Sequence, residues 1–558
     1  MRHLTYLNAL ISISASLAVG SPSAEQWAER SIYQVMTDRF ARPAGSPEES
    51  CDPYRYCGGS WAGIIDKLDY IQDLGFTAVQ ISPVVENIPD NTVYGEAYHG
   101  YWPQNLYTLN EHFGTADELR KLSRELHKRG MYLMVDVVIN DMAQAVNSSL
   151  DSGSSIDWSR LIPFNNKKYY HPFCSIEDWN NPDESKNCWF STEVVALPDL
   201  KTEDESVVSI IQAWVKELVG NYSIDGLRVD AAKHMNEAYL TSFNEAAGVF
   251  TMGEVYTENI DAVCKYEEIV SGLLNYPLYG PMVQAFTAGN MSGLAEKVQA
   301  AHSQCKDFTR LATFTENHDT PRFASLINDT TLAKNAMAFN ILSDGIPVVY
   351  QGQEQHMRGQ YAPYNREPLW KTSYNTNGSL YKTTSTLNKL RNHAIRLDKY
   401  HVSSHSKELY LDGSTYVTRK GTEGSQIVSV FSNQGSQGGP YNLSIPGAYK
   451  PGTEVIEVLG CKRVAADHEG QIVVRMDKGE PKAFFPVKKM NGSGLCGFKG
   501  RRGRKGAFCP AAGKGNGTGK NDTIEGGTVG QASLGNGASV TVPIILLSVC
   551  VGVANLFL

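Results

Sequence analysis

The sequence predicts an α/β fold: a closed (β/α)8 TIM barrel with an inserted subdomain after strand 3 and a C-terminal antiparallel β-sandwich domain. Three observations predict it. From about residue 30 to 395, short apolar runs alternate with longer amphipathic segments, the pattern of buried parallel strands wrapped by helices. So many repeats point to a closed barrel rather than an open sheet. The third strand is followed, out to about residue 200, by an irregular stretch rich in Asn, Asp, Ser and Pro that is too long for a simple loop. After about residue 396 the helical texture gives way to short alternating strands with Gly/Ser turns.

In chain order, Arg2 and His3 precede a largely apolar stretch over residues 4–19 and then Gly20-Ser21-Pro22. That layout reads as a secretory signal peptide over residues 1–20, cut after Gly20 or Ala24; a buried N-terminal helix is the other reading. The catalytic barrel is expected over residues 25–395, with strands in the runs 31–36, 76–82, 131–139, 226–229, 250–253, 311–315 and 346–350. Residues 115–129 carry Leu119, Leu122 and Leu126 at helical spacing. Residues 141–200 make the inserted subdomain and 396–497 the β domain, with strands at 408–411, 415–418 and 426–431. Residues 498–526 are Gly-rich and read as a flexible stalk. Its basic cluster of Lys499, Arg501, Arg502, Arg504 and Lys505 is either a solvated linker feature or a contact for anionic wall or membrane groups. Residues 527–558 contain no charge and become almost wholly apolar from Val540, behind small residues and a polar spacer. This is the pattern of a glycosylphosphatidylinositol (GPI) anchor signal. The competing reading, a tail-anchored transmembrane helix, usually carries flanking Lys or Arg.

The 558 residues are 42% hydrophobic and 20% charged, which excludes a disordered chain. A formal net charge of −8 offers no basic field to nucleic acid. Ten cysteines suit an oxidising compartment. Neighbours in sequence give the pairs Cys51–Cys57, Cys174–Cys188, Cys264–Cys305 and Cys461–Cys496, with Cys509 left odd and Cys550 in the tail. Sequons at Asn147, Asn221, Asn290, Asn328, Asn377, Asn442 and Asn491, and at Asn516 and Asn521 in the stalk, agree with secretion.

In a parallel barrel the catalytic groups stand at the C-terminal ends of strands. Four such ends carry polar clusters: Asp136, Asn140 and Asp141 in DVVINDM; Arg228, Asp230, Lys233 and His234 in GLRVDAAKH; Glu254 in MGEVY; Glu316, Asn317, His318 and Asp319 in FTENHD. One carboxylate at a strand end can simply cap the following helix. Carboxylates, an Arg and two His converging from four strand ends exceed what capping needs.

These segments resemble the four signature regions of the α-amylase family, glycoside hydrolase family 13. The resemblance continues through ERSIYQVMTDRFAR, AYHGYW, HPFC, LPDL and GIPVVYQGQEQH, and spans residues 27–495. It is similar to fungal secreted α-amylases and, with the anchor signal, to a GPI-anchored wall-associated subgroup. The resemblance implies Asp230 as nucleophile, Glu254 as acid/base and Asp319 as the carboxylate that stabilises the distorted, oxocarbenium-like ring. Arg228, two residues before Asp230 and so on the same strand face, would hold the nucleophile ionised, while the surroundings of Glu254 would raise its pKa. His99 and His318 match hydrogen-bond donors to the sugar, and Tyr101 the aromatic platform beneath it. Trp102, Lys233 and His234 join them as substrate-binding residues. The family also carries a structural Ca2+ between barrel and insert; Asn140, Asp199 and the backbone oxygens of His234 and Lys186 match its ligands, an oxygen set suited to a hard cation.

One position departs from the family. Asp141 stands where an imidazole usually touches the sugar at the cleavage point, so it is expected among the substrate contacts with altered chemistry. The expected function is a retaining enzyme cleaving α-1,4-glucosidic bonds of glucan or maltooligosaccharide, with transglycosylation linked to fungal cell-wall α-glucan. Alternatives are a plain hydrolytic α-amylase and a weakly catalytic glucan-binding wall protein. A monomer secreted to the cell surface, held by a GPI anchor at the plasma membrane or in the wall, completes the expectation.

Overall fold

The computed structural model describes residues 21–500, apart from 48 and 147–152. The signal peptide, the stalk beyond residue 500 with Arg501, Arg502, Arg504, Lys505 and Cys509, the tail with Cys550, and the sequons Asn147, Asn516 and Asn521 lie outside the described residues.

Eight parallel strands close a barrel in chain order: β1 (Ile32–Val35), β2 (Ala78–Ile81), β3 (Tyr132–Val137), β4 (Gly226–Val229), β5 (Phe250–Gly253), β6 (Gly272–Leu274), β7 (Leu311–Thr313) and β8 (Ile346–Tyr350). Closure is direct, with Ile32 opposite both Ala78 and Val348. Alternation along each strand separates two cores. Ile32, Ala78, Met134, Phe250, Met252, Ala312, Ile346 and Val348 fill the barrel interior with Trp27. Tyr33, Val35, Val79, Ile81, Leu133, Val135, Leu227 and Val229 face outward into the helix layer. Trp27 plugs the N-terminal end: its ring stacks on Phe250 at 5.2 Å, and Nε1 donates to the Asp225 carbonyl at 3.1 Å. A Cβ on Gly226 would stand 2.7 Å from that ring, so the first residue of β4 has room only for glycine.

Seven strands fall within the apolar runs read from the sequence, and β6 does not. It is three residues long, opens with glycine, and leaves no periodic signal. Helix α1 (Ala116–Lys128) follows the sequence reading closely, with a Thr115/Glu118 capping box at its start and Leu119, Leu122 and Leu126 buried. The segment after β3 is irregular. It holds a ribbon of Gln144–Ala145 with Val195–Ala196, the short helix α2 (Pro182–Asn187) and the Cys174–Cys188 bond, and it ends at helix α3 (Glu205–Tyr222). Its small core of Ala143, Val195 and Leu197 is completed by Ile88, Ala97 and Trp102 from the loop after β2.

Helices α4 (Thr330–Leu342) and α5 (Ser379–Leu397) close the barrel unit, and an antiparallel domain follows. Strands β9 (Lys407–Leu411), β10 (Thr415–Lys420), β11 (Ile427–Ser432), β12 (Tyr441–Ile445), β13 (Glu454–Glu457), β14 (Lys462–Ala465), β15 (Ile472–Met476) and β16 (Lys482–Pro486) form a six-stranded sheet, β9-β10-β11-β16-β13-β14, and the pair β12-β15. Val417, Val428, Val430, Leu443, Ile445, Val474 and Phe484 pack between them. The domain is locked to α4 through Asn335, which accepts from the Ser432 amide and donates to the Gly479 carbonyl, both at 2.7 Å. Residues 498–500 fold back onto it, with the Gly492 amide donating to the Lys499 carbonyl at 2.8 Å. The four expected disulfides are formed. Among the described residues no helix is long and apolar enough to cross a membrane.

Candidate active site

The site grows out of strand register. Asp136 of β3 lies opposite Arg228 of β4, and alternation turns both inward at the C-terminal end of the barrel. Pairing continues just beyond the strands, where the Asp230 amide donates to the Val137 carbonyl and the Glu254 amide to the Val229 carbonyl, both at 3.0 Å. One guanidinium therefore meets three carboxylates. Arg228 Nη1 lies 3.0 Å from both Asp136 oxygens and 2.5 Å from Asp230 Oδ1, and Nη2 lies 2.8 Å from Glu254 Oε2. Glu254 also accepts from the Tyr276 hydroxyl at 2.7 Å and the Ala231 amide at 3.2 Å.

Asp319 comes from the loop after β7. His318 Nε2 lies 2.9 Å from its Oδ2, and Arg366 Nη2 donates to Oδ1 at 3.2 Å. The His318 ring is parallel to that of Tyr101, with centroids 5.0 Å apart, and the Tyr101 hydroxyl donates to Asp136 at 2.7 Å. The Tyr101 amide donates to His99 Nδ1 at 3.0 Å, which leaves Nε2 to carry the ring proton. His99, Tyr101, Arg228, Asp230, Glu254, His318 and Asp319 are thus held in one connected network.

Burial pushes the Asp230 carboxyl well up; Arg228 opposes this, and the Glu254, Asp136 and Asp319 carboxylates add to the rise. One guanidinium is divided among three carboxylates here, so it does not offset burial at Asp230. Burial acts upward on Asp319 too, but His318, Arg366 and Arg228 outweigh it and hold that carboxyl well below the ordinary range. Burial, followed by Arg366 and His318, keeps His99 neutral at physiological pH.

Other expected residues stand apart from this network. Trp102 is buried in the small insert core. Lys233 Nζ donates to the Trp179 carbonyl at 2.9 Å, and His234 Nδ1 lies 2.9 Å from the Ser185 carbonyl with its ring against Phe190. Both tether the insert instead of joining the carboxylates; burial lowers His234 to about 4. Asp141 lies beyond the end of β3 and forms no hydrogen bond with the carboxylate network among the described residues. Its Oδ2 accepts from Asn140 at 2.9 Å, and it pairs across an antiparallel bridge with Asp199. Asn140 Oδ1, Asp141 Oδ1 and Asp199 Oδ1 are all buried without a hydrogen-bond partner among the described residues. Buried carbonyl and carboxylate oxygens left unpaired are costly, and such a set fits a hard cation. Lys186 belongs to α2, beside the Ser185 carbonyl that meets His234.

Sequence reasoning gave no role to Asp136, Tyr276 or Arg366. Asp136 was visible as a strand-end carboxylate. Tyr276 follows the three-residue β6, and Arg366 lies in a loop after β8, so neither sits on a readable period.

The sequence matches the family described as "Alpha amylase, catalytic domain" over residues 34–396 and "Alpha-amylase, domain C" over 408–504. It is 46% identical over 480 residues to Alpha-amylase 1 of Schwanniomyces occidentalis, covering 85% of this chain and 93% of that one. The fold is similar to the solved α-amylase of Malbranchea cinnamomea, with a TM-score of 0.81 and 44% identity over 85% of this chain and 100% of that one. It is also similar to a cyclomaltodextrin glucanotransferase of three-domain ABC distribution, with a TM-score of 0.71 and 25% identity over 82% of this chain and 98% of that one.

Proposed function

The chain belongs to the α-amylase family of glycoside hydrolases, and from that premise we propose that Asp230, Glu254 and Asp319 cleave α-1,4-glucan with retention, passing the glucosyl group to sugar hydroxyls as well as to water. The observation that carries this reading is Arg228, which binds Asp230 and Glu254 through its two terminal nitrogens. Carboxyl groups on one guanidinium suit the close pair, about 5–5.5 Å, of a retaining enzyme.

In the first step Asp230 attacks the anomeric carbon while Glu254 gives its proton to the departing glycosidic oxygen. The bond from the anomeric carbon to that oxygen breaks, and an ester to Asp230 forms. In the second step Glu254 takes the proton of an incoming water or sugar hydroxyl, whose oxygen displaces Asp230. The proton retained in the Asp230–Glu254 pair must therefore sit on Glu254 when substrate arrives, leaving Asp230 ionised. Asp319, kept anionic by His318 and Arg366, is suited to favour the cationic ring of the transition state. His99 and Tyr101 border the same sugar.

Transfer is supported by Asp141 in place of the family's imidazole and by the fold's likeness to a glucanotransferase. Ca2+ would be held by Asn140, Asp199 and the His234 and Lys186 carbonyls, and the unpaired Asp141 Oδ1 could serve as a further oxygen ligand; the ion would fasten the insert to the barrel. The charge-free tail supports a GPI anchor at the cell surface, for which release by a phosphatidylinositol-specific phospholipase is the direct check.

The deciding experiment is a product profile. Residues 25–520 are supplied with maltoheptaose and calcium, with Asp230→Asn as the blank. Early products longer than the substrate establish transfer; only shorter ones leave a hydrolase, and products equal to the blank remove the catalytic reading.

A further inference from the structure

Strand β1 carries a polar side chain inside its apolar run. Ile32 points into the barrel core, and the next inward position, two residues on, is Gln34, which is 8% exposed. A buried amide is costly unless it is hydrogen-bonded. The backbone of Gln34 is firmly placed, opposite Gln80 of β2 and Tyr350 of β8, with its carbonyl accepting from the Gln351 amide at 2.9 Å. Its side chain reaches His318, in the loop after β7, and puts Nε2 3.1 Å from Nδ1 of the ring.

His318 has little freedom left except in that ring. Its carbonyl accepts from Asn365 Nδ2 at 3.0 Å and from Arg366 Nε at 3.1 Å, which fixes the backbone. Tyr101 lies parallel to the ring with centroids 5.0 Å apart, which fixes the plane. A half-turn about the Cβ–Cγ bond keeps this plane and exchanges each ring nitrogen with a carbon. Asp319 is held anionic and only accepts, so His318 Nε2, 2.9 Å from Asp319 Oδ2, must carry a hydrogen. In the neutral ring Nδ1 is then an acceptor, and the amide nitrogen of Gln34 supplies its donor.

We propose that Gln34 is a positioning residue for glycosyl transfer: by donating to His318 Nδ1 it fixes both the tautomer and the half-turn of the ring, and keeps Nε2–H on Asp319. The proposal rests on the reading of Asp319 as the carboxylate that favours the cationic ring of the transition state. A neutral donor orients that carboxylate without cancelling its charge, whereas an imidazolium would offset the field the transition state needs. Without the amide, the ring would be free to turn a carbon edge toward Asp319, and the bond would be made only part of the time.

The test reads the ring and the reaction separately. Magnetic resonance of the chain labelled at its histidine ring nitrogens, with the His318 signals identified by their loss in His318→Gln, should show hydrogen on Nε2 and none on Nδ1. Gln34→Glu keeps the shape but only accepts, so Nδ1 should gain a hydrogen and the ring become cationic. Gln34→Met keeps the length and removes the bond, and the Nε2–H signal should exchange faster with water. In both variants kcat on maltoheptaose should fall about tenfold, the worth of one hydrogen bond at the transition state, with KM little changed. Hydrogen on Nδ1 of the wild-type ring, His318 signals unaltered in both variants, or an unaltered kcat in both, overturns the proposal and leaves the catalytic reading standing. If the wild type turns over maltoheptaose no faster than Asp230→Asn, the catalytic reading itself falls, and this proposal with it.

Discussion

Arg228 Nη1 stands 2.5 Å from Asp230 Oδ1, and both side chains belong to a single inward-facing row of β4 and its first residue beyond the strand. The pair is nearly dry: the Arg228 side chain is 2% exposed and that of Asp230 12%. Removing one member of such a pair strands the other, which usually costs more than the pair contributes. Here the stranded partners include Asp136 and Glu254, so the guanidinium organises the whole carboxylate cluster.

Glu254 and Asp230 should separate by leaving group. Glu254→Gln removes the proton donor and should lower turnover of maltooligosaccharides about 10²–10⁴-fold. A maltosyl fluoride, whose leaving group needs little protonation, should recover much of the loss in the first step. Asp230→Asn should recover none of it. Recovery in both variants, or in neither, would reverse or remove the assigned roles.

Arg228→Lys should move the pH profile. The ammonium keeps a charge but cannot bind three carboxylates in the plane of a fork. Arg228 lowers the Asp230 pKa against burial, so weakening it raises that pKa further. Asp230 attacks only when ionised, and the acidic limb of kcat/KM should therefore shift to higher pH, with kcat down about 10²-fold at the optimum. A profile that falls uniformly with no shift would mean that Arg228 is only a packing element.

Much of this site could be read before the fold was known, because its residues lie at the ends of strands whose apolar runs are long enough to recognise. Asp230, Glu254 and Asp319 announce themselves through the motifs around them. Tyr276 and Arg366 do not. Tyr276 depends on β6, a strand of three residues beginning at Gly272, where a Cβ would stand 2.6 Å from Phe250 Cζ and 2.9 Å from the Arg310 carbonyl. That strand is specified by what packs against it, not by its own pattern. Asp141 shows a different limit. The family resemblance raises the expectation of a sugar contact there, whereas the backbone bridge to Asp199 and the bond from Asn140 depend on how the insert folds and leave no mark in the local pattern.

Acid should loosen the junction between barrel and β domain through His401. This residue is 3% exposed; burial first, then Lys420 and Arg391, lower its pKa to about 3, with Asp344 opposing them. The unfolded chain protonates the same imidazole near 6.5. Between those values the unfolded state binds more protons, so stability falls as pH falls, by about 3 kcal/mol at pH 4. It has no further effect below about pH 3 and none above about 6.5. His401→Gln should flatten the pH 4–6.5 limb of a urea-unfolding series, and an unchanged slope would assign the loss to other groups.

Calcium should act on stability through the oxygens gathered from both sides of the insert. Asp141 and Asp199 face each other in a buried bridge; His171 Nδ1, 2.6 Å from Asp199 Oδ2, balances only the latter. A divalent cation would complete the unpaired oxygens of Asn140, Asp141 and Asp199 together. The wild-type melting temperature should then rise with calcium and fall in chelator, since binding to the folded state alone stabilises it in proportion to RT ln(1 + [L]/Kd). Asp199→Asn should abolish the response. Asp141→Asn keeps the shape but removes one charge from the set. It should weaken calcium binding about tenfold, while in chelator it melts no lower than wild type, because no cationic side chain among the described residues pairs with the carboxylate it replaces. If Asp141→Asn responds to calcium as wild type does, the third oxygen belongs to something other than the ion. If wild type itself shows no response, the buried oxygens are an unrelieved cost of the fold.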